Sequence, residues 1–316
     1  MIPFFSITIP LYNKENFIEN TLQSVFNQTF QDFEIIIVND GSTDNSLEKA
    51  KNALLGYENH TIIHQKNKGL SATRNKGISI AKGKIIALLD ADDIWDIGFL
   101  SEIYNLWNKF PEASLYGTDY LEKYSNTNVL EPKKNLDASL KNKSFLVENF
   151  FNVSLFQLIV SQSNFAFKTE VFKTIKFNDT IDFGEDVEFY IKSNLKYKFA
   201  YTYRALATIH LNIPNQMTSK NYKGKRLPDF DAFEQEAATN PSLKKFLDYN
   251  RYFFLINSRI FNDKATYNLM AKHINYNNLS TKQKFLLKSP LFLLKLLKFI
   301  KKIFLRYNIR LTSFND

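Results

Sequence analysis

Cysteine is absent from all 316 residues. That excludes disulfides, a thiolate nucleophile and Cys-held zinc or iron–sulfur centres, and it fits a reducing compartment. No run of eighteen consecutive apolar residues occurs, so no simple membrane-spanning helix is expected. The start, Met1-Ile2-Pro3-Phe4-Phe5-Ser6, has no basic region ahead of an apolar run, which is the pattern of a chain without a signal peptide. Acidic residues are missing from residues 281–310, where Lys282, Lys284, Lys288, Lys295, Lys298, Lys301, Lys302, Arg306 and Arg310 fall. These cations account for the whole net charge of +9 and leave 32 basic residues against 32 acidic ones elsewhere. The body is therefore neutral, which argues against a broadly basic nucleic-acid-binding domain.

What is present is patterned. The chain is 44% hydrophobic, enough for a packed core, and long enough for one large domain with an appendage. Residues 4–9 read as a first strand broken by Pro10, and residues 33–38, 61–64 and 85–90 as three more. Strands of continuous β-branched and aliphatic residues are buried on both faces, as in a parallel sheet. Between them, residues 16–29 place Phe17, Ile18, Leu22, Val25 and Phe26 at helical spacing. Residues 42–46 offer N-caps for a helix to about Leu55, and residues 71–81 read as a helix ended by Gly83. This alternation predicts an α/β fold with a doubly wound, mostly parallel sheet. Residues 96–110 and 187–195 read as helices, 200–203 and 207–210 as two strands, and 114–145 resist assignment. From about residue 228 the pattern is helical, so the expected division is a domain over 1–220 and a helical extension over 221–316.

Two acidic clusters stand at strand ends. Asn39-Asp40-Gly41-Ser42 follows the second strand, and Asp90-Ala91-Asp92-Asp93 follows the fourth. Ligands of open α/β sheets sit at the carboxyl ends of the strands. A D-x-D there offers two hard oxygen ligands that suit Mg²⁺ or Mn²⁺ holding a diphosphate, which points to a nucleotide-sugar site. Alternation along the strand end is expected to put Asp90 and Asp92 on one face. Asp93 is expected to cap the next helix.

Five motifs in order then resemble a known family. They are Pro10-Leu11-Tyr12-Asn13, Val38 to Asp44, Lys68 to Asn75, Leu89 to Asp93, and Gly184-Glu185-Asp186. The chain is similar to the family 2 glycosyltransferases of GT-A fold, over roughly residues 4–215. The resemblance implies inverting transfer of a sugar from a nucleoside diphosphate to an acceptor hydroxyl. It gives Asp40 the imide N–H of uracil, with Pro10 and Tyr12 lining the base. It makes Asp92 the metal ligand, with Asp90 on the metal or the ribose, and Asp186 of the Glu185-Asp186 pair the base.

Each residue has a plainer reading as well. Asp40 suits an Asp-Gly turn, Tyr12 simple packing, and Asp186 a helix N-cap. Arg74, one turn into a helix, could pair with phosphate or form a surface salt bridge. His210 matches a histidine that many relatives carry near the metal or diphosphate, ahead of a polar loop holding Asn212, Asn215, Thr218 and Ser219, yet a lone His is often structural. Trp95 and Tyr116 could stack on an acceptor sugar or pack in the core, acceptor specificity being expected within residues 95–180.

The tail is a separate signal. Ser289-Pro290 suits a helix start. At 100° per residue Lys288, Lys295, Lys298, Lys302 and Arg306 fall within about 80° of one another on an otherwise apolar helix over 289–306. This reads as a helix lying in an anionic membrane interface, or as one packed on the domain with a solvated lysine stripe.

The expectation is a hexosyltransferase that uses Mn²⁺ or Mg²⁺ and a UDP-sugar, acting on a saccharide or lipid-linked acceptor. It would be cytoplasmic and peripheral on the inner membrane face, with no nucleic acid as partner. The alternatives are an inactive glycan- or lipid-binding scaffold and a sugar-1-phosphate nucleotidyltransferase. The latter would want a Gly-rich basic loop where Ile9-Pro10-Leu11-Tyr12-Asn13 stands.

Overall fold

A computed structural model describes residues 2–214, 216 and 222–313. Strands β1 (Phe5–Leu11), β2 (Phe33–Asn39), β3 (His60–His64) and β4 (Ile85–Leu88) are parallel and run β3-β2-β1-β4 across the sheet. Every residue of β1, β2 and β4 is buried, as their unbroken apolar runs require. Helices α1 (Ile18–Phe26), α2 (Ser46–Ala53) and α3 (Leu70–Ser79) make the crossovers.

Beyond β4 the chain adds β5 (Ile94–Trp95), α4 (Phe99–Lys109), β6 (Ala113–Ser125), β7 (Asn128–Leu130), β8 (Ser144–Leu146), α5 (Phe150–Val153), β9 (Phe165–Lys168), α6 (Thr169–Thr174), α7 (Glu185–Lys196) and β10 (Lys198–His210). Antiparallel β9 sits between β4 and β6, β10 runs parallel to β6, and β5 closes the order. The sheet is thus mixed in its second half. The two strands expected at 200–203 and 207–210 are one, with register shifts between Thr202 and Ala207. The unassigned segment after residue 113 opens with the 13-residue β6. Its polar positions Thr118, Asp119 and Glu122 are buried, which hid the strand from any apolar pattern.

Side chains alternate across the sheet. Ile7, Ile9 and Leu11 join Leu22 and Val25 of α1 and Phe99 and Ile103 of α4 on one face. Ile86 and Leu88 face the other way, into a core with Phe165, Phe167, Phe189 and Tyr190. That second core continues into α9 (Pro241–Phe261) through Phe246, Leu247 and Leu255, so the C-terminal helices cover the sheet face. Asn240 caps α9 by accepting from the Leu243 N–H, with Pro241 at its first position. Helices α8 (Glu234–Thr239), α10 (Lys264–Ala271), α11 (Thr281–Lys288) and α12 (Leu291–Arg306) complete the order.

Candidate active site

The loop after β1 and the loop after β2 are laced together. Asn13 N–H donates to Ser42 Oγ, Lys14 N–H to Ser46 Oγ and Thr43 N–H to Asn13 Oδ1. Pro10 is buried within β1, opposite Val38, while Tyr12 just beyond it is 41% exposed. Asp40 is buried at the end of β2. Its Oδ1 accepts from Lys68 N–H and Gln65 Nε2 at 2.8 Å, and its Oδ2 from Gly69 N–H at 3.0 Å. Asp40 therefore pins the start of α3. A carboxylate has about four acceptor positions, so one is left for a ligand.

β4 ends at Leu88, and the D-x-D lies in a turn in which Asp93 N–H donates to Asp90 O. The two carboxylates accordingly take different cations instead of sharing one strand face. Asp90 Oδ1 accepts from Arg74 Nη2 at 2.9 Å, and Asp92 Oδ2 meets Lys14 Nζ at 2.6 Å. Burial raises the Asp92 carboxyl above its ordinary value against the pull of Lys14, and Asp90 adds to the rise. Asp93 caps no helix. It is buried, accepts from Ser163 Oγ and from His210 N–H, and is raised well above the usual range by burial and by Asp92 and Asp90. Ser163 Oγ also accepts from Asp90 N–H, so one hydroxyl fixes the turn.

Arg74 is 2% exposed on α3, and burial opposes its charge. Asp90 and Glu185 overcome that opposition and hold the guanidinium firmly charged. Nη1 donates to Glu185 Oε1 at 2.8 Å while Nη2 holds Asp90. The surface salt bridge read from sequence is thus a buried one, and the Arg74 Nε–H has no partner among the described residues. Gly184, at φ +86°, turns the chain into α7 through a conformation that side chains disfavour, and sets Glu185 and Asp186 in the first turn. Asp186 is partly buried, and Oδ1 accepts from Val187 N–H. Burial first, then Glu185, push its carboxyl up to about 7, with Arg74 pulling the other way.

His210 ends β10 beside Asp92. Burial and then Lys123 lower its pKa, and its Nδ1 has no partner among the described residues. Asn212 is left-handed at φ +60° in the loop that follows, whereas Asn215, Thr218 and Ser219 lie outside the described residues. Tyr116 is fully buried with its hydroxyl on Ala113 O, and Trp95 stacks on Phe99 with its indole N–H on Ser163 O. Tyr116 packs in the core and cannot stack on a sugar as placed, whereas Trp95, 3% exposed, packs there too but also lines a cavity wall. A cavity of about 620 Å³ opens beside Asp92 and His210, lined also by Asn20, Gln23 and Tyr124.

The fold and site thus bring together Asp90, Arg74, Glu185 and Asp186 around one guanidinium, and Asp92, His210 and Asp93 beside it. Lys14 and Ser163 were not legible as site residues. A lysine or serine in a loop carries no periodic signal, and their partners are 78 and 73 residues away in sequence. No group of three or more His, Asp or Glu is gathered for a metal among the described residues. The donor chemistry still fits a divalent ion: two carboxylates and an imidazole nitrogen without a partner, with room for diphosphate oxygens.

Residues 6–176, more than half of the chain, match the profile of Glycosyl transferase family 2, and the chain belongs to that family. It is 28% identical to the glycosyltransferase EpsJ of Bacillus subtilis over 71% of this chain and 65% of EpsJ. It is 48% identical to YibD of Escherichia coli over 28% of this chain and 26% of YibD. It is 29% identical to the glycosyltransferase GlyA of Streptococcus pneumoniae over 57% of this chain and 26% of GlyA. These matches span less than two thirds of the relatives' own lengths. Among solved structures, S. aureus TarS 1-349 in complex with UDP-GlcNAc superposes with a TM-score of 0.65 at 18% identity, over 89% of this chain and 86% of that one. The mannosyltransferase PcManGT of Pyrobaculum calidifontis, in complex with GDP-Man and Mn²⁺, gives 0.53 at 15%, over 96% and 81%. The fold is GT-A.

Proposed function

We propose that the protein is a metal-assisted, inverting hexosyltransferase that moves a sugar from a UDP-sugar to a hydroxyl of a saccharide or lipid-linked saccharide in cell-surface glycan synthesis. The observation that carries this reading is the meeting of Asp90, Arg74, Glu185 and Asp186, from three distant segments, at the carboxyl end of β4 in a family 2 chain. The nucleotide sugars bound to TarS and PcManGT, and the Mn²⁺ bound to the latter, support a nucleotide-sugar donor and a divalent cofactor.

In this reading Asp186 takes the proton from the acceptor hydroxyl as that oxygen bonds to the sugar's anomeric carbon. The bond from that carbon to the diphosphate breaks, and its electron pair leaves with the diphosphate oxygen. A base titrating near 7 is matched to that task. Arg74 positions Glu185 and Asp90 across the site, keeping the carboxylates from repelling one another apart. Asp92, Asp90 and His210 would hold Mg²⁺ or Mn²⁺, which when bound stabilises the leaving diphosphate. Asp40 has an acceptor position for the uracil imide, with Tyr12 and Pro10 beside the base.

We further propose residues 1–220 as the catalytic unit and 221–316 as its extension, working peripherally on the inner face of the membrane with donor drawn from the cytoplasm. No described helix is long and apolar enough to cross a membrane. The test is UDP-sugar hydrolysis across a donor panel with and without Mn²⁺, alongside calorimetry of UDP binding. UDP should bind with Mn²⁺ present and lose affinity with EDTA or in Asp92→Ala. Equal affinity in all three would remove the metal from the reading.

A further inference from the structure

Of the described residues of α12, sixteen in all, only Leu294 is buried. The exposed ones are not scattered. Phe292, Leu296, Phe299 and Ile303 follow at i, i+4, i+7 and i+11 and are 72, 48, 61 and 37% exposed. At 100° per residue they fall within about 60° of one another, a continuous apolar ridge facing away from the protein. Lys295, Lys298, Lys302 and Arg306 run along one flank of that ridge. Among the described residues none of these four enters an ion pair. Lys298 turns back onto the Phe261 ring of α9, 4.8 Å from its centroid, which leaves Lys295, Lys302 and Arg306 as the outward cations. A large exposed apolar patch flanked by such cations is costly in water and marks a docking surface.

The far end of α12 is tied to the site. Asn128 of β7 donates to Leu305 O, and Arg310 binds Glu122 of β6 and Gln157. The next residues along the same β6–β7 hairpin, Lys123, Tyr124, Ser125 and Asn126, line the cavity beside Asp92 and His210. The helix therefore cannot swing independently of the cavity rim without breaking these contacts.

We propose that α12 docks in an anionic phospholipid leaflet, its aromatic and aliphatic ridge at the headgroup–acyl boundary and its lysines on the headgroups. The clasp at Asn128 and Arg310 then holds the cavity rim against the leaflet, so that an amphiphilic acceptor is taken from the membrane surface. Charge complementarity selects this occupant: nine cations and no acid over residues 281–310 suit anionic headgroups and disfavour a second copy of the same helix. The acceptor clause rests on the transferase reading above; the docking itself does not.

The experiment is co-sedimentation of the protein with vesicles of phosphatidylcholine, alone or mixed with phosphatidylglycerol. Binding to the mixed vesicles at low salt is expected, falling roughly fivefold for each lysine neutralised among Lys295, Lys302 and their neighbours. Phe292→Ser with Phe299→Ser should abolish it without unfolding, since both side chains already lie in solvent. Orientation is read with thiol-reactive depth probes, which the cysteine-free chain accepts without background: Phe299→Cys should report the acyl boundary, Asn126→Cys the headgroup level and Lys51→Cys bulk water. The proposal is overturned if the intact protein stays in the supernatant with phosphatidylglycerol at low salt, or if the serine variants bind as before. It is equally overturned by a vesicle-free dimer that Phe299→Ser dissolves, or by an Asn126 probe in bulk water. UDP calorimetry on the same samples keeps the two readings apart, because failure to bind UDP strikes the transferase assignment and leaves the vesicle result standing.

Discussion

Asp186 carries the sharpest expectations at the scale of single residues. Asp186→Asn keeps the shape of the side chain but not its basicity, so turnover should fall by ~10²–10⁴ with donor binding little changed. A variant that keeps half its rate would move the role to Glu185. The wild-type rate should rise with pH through about 7, because the working form is the carboxylate. The same group has the opposite effect on stability. Its folded carboxyl titrates near 7 and its unfolded one near the ordinary aspartate value of 3.8, so between them the folded state binds more protons. Stability therefore falls as pH rises through that window. Asp186→Asn should melt higher than wild type above pH 7, and the gain should vanish toward pH 4. Lys14 supplies a second test. Its ammonium sits on Asp92 Oδ2 and competes there with any cation, so Lys14→Met should bind Mn²⁺ more tightly in calorimetry without nucleotide. Unchanged or weaker binding would mean that Lys14 supports the site instead of competing with the metal.

Elements are held in place by contacts that their own periodicity does not announce. Helix α3 packs on β1 so closely that a Cβ on Gly77 would lie 2.4 Å from Thr8 Cγ2. Gly77→Ala should cost about 1–3 kcal/mol in denaturant unfolding, since the sheet beneath cannot recede. A neutral or stabilising result would show that the helix can slide. Arg74 ties α3 to the turn after β4 and to the start of α7. Removing it leaves Asp90 and Glu185 facing each other with no cation between them, so Arg74→Met should cost about 3 kcal/mol and loosen the base loop.

The whole molecule is a sheet with a helical layer on each face, and one of those layers is made by the C-terminal chain through α9. Helix α12 is the exception, resting on the body through Leu294, Lys298 on the Phe261 ring and the contacts at Asn128 and Arg310. Deleting residues 290–316 should cost about 2 kcal/mol for the lost Leu294 burial. In a chain of this size that is a drop in melting temperature of roughly 3 °C. UDP binding should persist, because every nucleotide candidate precedes residue 215. Collapse of the fold on deletion would make α12 a core element.

The sequence alone determined the first half of the sheet, because buried parallel strands must be unbroken apolar runs and their crossovers amphipathic. It also located Asp40, Asp90 and Asp92, since polar residues that close such runs can only stand at the strand ends. The ridge of α12 was legible as well, being a matter of helical angle. The pairing of β9 and β6 was not, because β6 buries Thr118, Asp119 and Glu122 and breaks the apolar pattern. Nor were the partners of the site carboxylates. Whether Arg74 faces phosphate, solvent or Glu185 depends on where α7 crosses, 111 residues later in the chain. Lys14 and Ser163 act through contacts made only when distant loops meet. Such contacts leave no local trace, because nothing in the neighbouring sequence must change to accommodate them, and only the packed tertiary structure decides them.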